Sequence, residues 1–157
     1  MYRLKSGIKK NPARRWALPD RIFFGNGACA ILAGAFLRDP PLSGFYAERI
    51  ISAEGFAGNH IYVTDGTIAF DYHGYSLRHR LLLYHTRGWA NRYTEGWACS
   101  LERVSFDLLD TRNLNDNKML GPDQYLHDPV IRAQEYLAKI DHFGASARAR
   151  AKRSQHS

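Results

Sequence analysis

The chain has 157 residues, 45% of them hydrophobic and 13% aromatic, with a formal net charge of +7. That composition supplies a core and excludes global disorder, and no run nears the roughly 20 apolar residues of a membrane span. The charge is uneven: residues 1–22 hold seven basic side chains against Asp20, residues 145–157 hold four and no acid, and the stretch between is net acidic. The basicity therefore belongs to the ends, which read first as solvated, mobile segments and alternatively as tails that touch an anionic partner such as nucleic acid, a membrane surface or an acidic protein.

The length suggests a basic arm over 1–20, a single α+β domain over 21–144 and a basic, disordered tail over 145–157. Cys29 and Cys99 are too few for a disulfide framework and lack metal-binding spacing, which favours a reducing, cytoplasmic setting. The apolar stretch 28–37 behind a basic leader resembles the core of a signal peptide. Pro12, Pro19 and Asp20 in the leader, and Asp39-Pro40-Pro41 at the cleavage position, argue against that, although secretion as an effector is the alternative.

In chain order, residues 1–20 show no periodicity beyond a docked piece at Trp16-Ala17-Leu18. Gly25-Asn26-Gly27 reads as a loop. A helix then starts near Gly27 or Ala28 and stops before Pro40; being apolar nearly all round, it should be buried. Cys29 lies in its first turn, where free backbone N–H groups and the helix dipole favour a thiolate. Residues 43–53 fit either a short helix or a strand; as a strand, 47–52 is a partner for the hairpin that follows.

Residues 59–73 contain that hairpin. Asp65-Gly66 between two β-branched and aromatic runs signals a two-residue turn. Counting outward pairs Val63 with Ile68, Ile61 with Phe70, and His60 with Asp71. One face then carries Ile61, Val63, Ile68 and Phe70, and the other carries Tyr62, Ala69, His60 and Asp71. Opposed residues have Cβ atoms roughly 4.5–5.5 Å apart, near enough for a carboxylate to orient an imidazole. A slip of one residue in this turn would take Asp71 off that face.

Ser76 is expected to cap a helix running to about Arg87, with Leu77, Leu81 and Tyr84 on one stripe. Residues 97–109 alternate in part and suggest a strand with Cys99 buried. Residues 111–125 read as polar turns. Asp128-Pro129 opens a helix expected to end near Gly144.

The order of a cysteine at a helix start, then a histidine strand, then an acid strand resembles the papain-like superfamily in its broad sense, transglutaminases and arylamine N-acetyltransferases included. Gly25-Asn26-Gly27-Ala28-Cys29-Ala30 looks like the nucleophile segment, His60-Ile61-Tyr62-Val63 the histidine strand and Phe70-Asp71 the acid strand. The match covers about residues 22–75. Ala30 stands where papain-type enzymes have an aromatic, and Asn26 is the nearest amide to their oxyanion-hole glutamine.

The resemblance implies an α+β fold with a buried N-terminal helix on a small antiparallel sheet and further helices after the hairpin and near the C-terminus. It implies cysteine-dependent acyl transfer (amide hydrolysis, proteolysis or deamidation) on a protein or peptide amide, with Cys29, His60 and Asp71 as triad and no cofactor. Asn26 would serve the oxyanion, and Tyr62 and Trp89 would line the substrate site. Two other readings stand beside it: a metal site from His60, Asp71 and His73 with His79 or His85, and a non-enzymatic binding module that uses the basic termini.

Overall fold

The computed structural model describes residues 3–153 and 155. The fold is α+β, as expected. Helices α1 (Pro12–Trp16), α2 (Asp20–Gly25) and α3 (Cys29–Arg38) precede strands β1 (Tyr46–Ser52), β2 (His60–Thr64), β3 (Ile68–Asp71) and β4 (Gly74–Leu77). Then come α4 (Arg78–Ala90), β5 (Cys99–Arg103), α5 (Thr111–Asp116), α6 (Pro129–Ala138) and α7 (His142–Ala151). The five strands form one antiparallel sheet in the order β4-β3-β2-β1-β5. Among the described residues no helix is long and apolar enough to cross a membrane.

Both faces of the sheet centre are covered, which is why β2 and β3 are buried along their whole length. Residues Ala30–Phe36 of α3 are all buried, and they pack with Ala47, Ile61, Val63 and Phe70 in the main core. Burying Phe36 and Phe70 alone is worth about 1.5–3 kcal/mol each. Gly34 lets α3 approach its neighbour: a Cβ there would meet the Leu109 side chain at 2.7 Å. The opposite face carries Ile50, Tyr62 and Ala69, covered by Leu81 of α4. Tyr62 donates its hydroxyl to Glu48, which also accepts from Arg78 Nε at 2.8 Å.

The hairpin turn sits one position later than the sequence predicts. Thr64 pairs with Ala69 and Val63 with Phe70, so Gly66-Thr67 makes the bend. Gly66, with φ of 93°, is at the first central position, as a type II′ turn requires. Asp65 acts as the clamp, its Oδ1 accepting from Thr67 N at 2.9 Å and Ile68 N at 3.0 Å. The displacement moves every pairing by two residues. Face membership is therefore kept, and His60 and Asp71 stay on one face as diagonal neighbours.

Other expectations need correction. Ser76 caps no helix; it pairs with Ala69 in β4, and α4 starts two residues later at Arg78. Cys99 is exposed, because its strand is the sheet edge, paired only with β1, and ends at Arg103. The helix opened by Asp128 stops at Ala138. Asp141 then caps a new helix through Gly144 N at 3.0 Å. That helix, α7, occupies most of the expected disordered tail. It docks Ala149 against Ile68 and Leu77, and its Arg150 pairs with Asp65.

The N-terminal segment is also no free arm. Arg132 of α6 holds it through Nε to Asp20 Oδ1 at 2.7 Å, Nη1 to Trp16 O at 2.7 Å and Nη2 to Leu18 O at 2.6 Å. Trp16 and Leu18 pack against the core.

Candidate active site

α3 and β2 bring Cys29 and His60 together. Cys29 is the first residue of α3, entered through Gly27 with φ of 109° and the buried Ala28. His60 is the first residue of β2, so its ring stands at the end of the sheet. Its Nε2 lies 2.9 Å from Asp71 Oδ2. Nδ1 is then the ring atom left to face the Cys29 thiol, which stands close enough to the imidazole for each to shift the other's pKa. His60 and Asp71 are each 5% exposed, while Cys29 is half-buried at the wall of a cleft of about 1070 Å³.

The two oxygens of Asp71 do separate work. Oδ2 faces His60, and Oδ1 accepts from His73 N at 2.8 Å and lies 3.3 Å from His73 Nδ1. The first contact aims the imidazole, and the second closes the β3–β4 turn that keeps the carboxylate in place.

Electrostatics follow from these contacts. Burial by itself would raise the Cys29 pKa. The hydrogen bond and charge of His60, with the N–H groups of Ile61 and Ala30, outweigh it and bring the thiol below its ordinary value. Burial would likewise lower His60; its hydrogen bonds to Asp71 and Cys29, and their charges, raise it to about 10. Asp71, despite burial, is held well below the usual carboxylate range by His60 and His73. All three shifts act in the direction of thiolate, imidazolium and carboxylate in a row, the state a cysteine nucleophile needs.

His85 of α4 completes the setting. Its ring stacks on His60 with centroids 5.3 Å apart and planes 13° apart. Its Nε2–H donates to Gly58 O at 2.6 Å. Burial first, and then the charge of His60, lower its pKa to about 4. It is therefore a neutral wall against the charged ring. The signal for it lay on the α4 stripe, one turn after Leu81.

The remaining expected site residues divide. Trp89 lines the cleft. Tyr62 does not; it is 1% exposed, with its hydroxyl committed to Glu48 beneath α4. Asn26 borders the cleft, but its amide donates to Ile22 O at 2.9 Å and closes α2, which gives it a local acceptor in place of an oxyanion. The backbone N–H groups in the first turn of α3, beside the thiol, are the alternative donors for that purpose. Among the described residues no group of three or more His, Cys, Asp and Glu side chains is arranged to hold a metal ion.

Comparison with family models, curated proteins and solved structures returns no match for this chain.

Proposed function

We propose that this protein is a cysteine-dependent acyl-transfer enzyme, with papain-like chemistry acting on an amide or ester carbonyl. One observation carries the reading: a half-buried thiol at a helix start lines the same large cleft as an imidazole whose Nε2 lies 2.9 Å from a buried carboxylate.

In this mechanism Cys29 Sγ attacks the carbonyl carbon and the carbonyl π pair moves onto oxygen. The oxyanion accepts from the first N–H groups of α3. Its collapse expels the leaving group, which takes the proton from His60 Nδ1, and leaves a thioester on Cys29. Water, deprotonated by the now neutral His60, attacks the thioester and releases the acid and the thiolate. An amine in place of water gives transfer. Asp71 orients the ring and stabilises its charged form, and the neutral His85 adds no second positive charge beside it.

The test is acylation by p-nitrophenyl acetate, read by mass spectrometry and peptide mapping. An acetyl group is expected on Cys29 of the native protein, more slowly in His60→Gln, with no comparably fast acetylation of the one remaining thiol, Cys99, in Cys29→Ser. Acetylation confined to the exposed Cys99 would contradict the reading.

A further inference from the structure

The cleft over Cys29 is lined by eight arginine and lysine side chains and, among the described residues, by no aspartate or glutamate. Five of the eight, Arg3, Lys5, Lys9, Arg15 and Arg21, come from the N-terminal segment. The basic residues that look like a solvated arm in sequence thus face the candidate nucleophile.

Arg15 is the deepest of them, only 8% exposed. Its Nη2 donates to Asn26 O at 3.3 Å, its guanidinium lies 5.3 Å from the centre of the Tyr125 ring, and its Nε has no partner. Gly27 makes the room for it, since a Cβ there would stand 2.1 Å from Arg15 Nη2. A buried guanidinium with an orphaned donor and no carboxylate is costly. Its position in a cleft wall indicates that the anion comes from outside.

Arg15 has company. Arg92 stacks on Trp89 at 4.1 Å from the ring centre. Lys9 lies near enough to Arg15, Arg92 and Cys29 to feel all three charges. Among the described residues none of Lys9, Arg15 and Arg92 forms an ion pair; of the eight cations only Arg49 does, with Glu102 at 3.4 Å. Their mutual repulsion is relieved by a bound anion of more than one charge, and the guanidinium fork matches phosphate oxygens. The cleft volume of about 1070 Å³ suits a small molecule.

We propose that the cleft binds a small acyl compound carrying a phosphate or pyrophosphate group, the anion seated among Lys9, Arg15 and Arg92 and the carbonyl presented to Cys29. The acyl half of this proposal rests on the function proposed above. The anion half stands on the three cations.

Calorimetric titration of pyrophosphate into the full chain, native and Cys29→Ser, tests the anion site without relying on Cys29 chemistry. Both are expected to bind, and K9Q/R92Q and Arg15→Gln are each expected to weaken binding by about tenfold or more, the loss of a charged hydrogen bond. Arg15 is buried, so the surface pair K9Q/R92Q gives the answer if Arg15→Gln misfolds. Pyrophosphate should also slow iodoacetamide alkylation of Cys29 and leave Cys99 unaffected, which locates the anion beside the thiol. The proposal is overturned by an absence of heat at millimolar pyrophosphate, by unchanged affinity in K9Q/R92Q, or by an oligonucleotide that binds more tightly and resists displacement by pyrophosphate. An inert Cys29 in a protein that still binds pyrophosphate would remove the acyl half of the proposal with the enzyme reading and leave the anion site.

Discussion

Asp71→Asn isolates the carboxylate's contribution to the thiolate. The substitution keeps the shape and removes a buried charge that faces His60 Nε2 at 2.9 Å. The asparagine oxygen can still accept from the ring, so what is lost is the ionic part of one charged hydrogen bond, about 1.5–3 kcal/mol. That energy stabilises the imidazolium, and through it the thiolate. The expected result is alkylation of Cys29 by iodoacetamide near pH 6 slowed roughly ten- to a hundredfold, with Cys99 unchanged. Stability responds with a definite sign. The folded pKa of Asp71 lies below its unfolded value, so its stabilisation is present above about pH 3.9 and is lost as pH falls through the folded value. Urea unfolding should therefore show Asp71→Asn less stable than the native protein at neutral pH, with the difference closing in acid. An alkylation profile for Asp71→Asn that superposes on the native one would refute the reasoning, because the carboxylate would then have no hold on the thiol.

Other outcomes follow from the same contacts. Tyr62→Phe should cost about 1–3 kcal/mol in urea unfolding by leaving the buried Glu48 short of a donor, and should leave Cys29 alkylation unchanged, since Tyr62 lies outside the cleft. His85→Phe keeps a ring against His60 but strips Gly58 O of its donor; a loss of about 1–3 kcal/mol in urea unfolding is expected, with the thiolate retained. The raised pKa of His60 makes its contribution to stability complete below about pH 6.5 and lost as pH climbs through about 10; the native protein should weaken over that window more than His60→Gln. Asp128→Ala removes an N-cap bonded to Val130 N at 2.8 Å, for about 1 kcal/mol of thermal stability.

The site was legible in sequence where it depends on local patterning. Alternation in 60–64 and 68–71 places His60 and Asp71 on one face, and that assignment survives the displaced turn because a shift of two residues preserves side-chain parity. Apolar residues all round 30–36 mark a buried helix, and Cys29 follows as its first residue. What failed depended on distant partners. The segment 145–151 is Ala- and Arg-rich and reads as low-complexity tail, yet these are good helix formers once Ala149 has Ile68 and Leu77 to dock on. The path of the N-terminal segment is set by Arg132, more than a hundred residues away in sequence, so the approach of Arg15 to the cleft had no local signature. Tyr62 looked available because its strand face reads as polar; α4 covers that face with Leu81.

Whether His60 and Asp71 hold Cys29 as a thiolate is read from the pH dependence of iodoacetamide alkylation of the native chain, with the exposed Cys99, whose pKa burial moves upward, as internal reference. Cys29 is expected to react with a midpoint well below the ordinary thiol value of about 8.5, Cys99 to follow only in alkali, and His60→Gln to return Cys29 towards Cys99. A Cys29 that titrates with or above Cys99 in the native protein would contradict a thiolate held by His60 and Asp71.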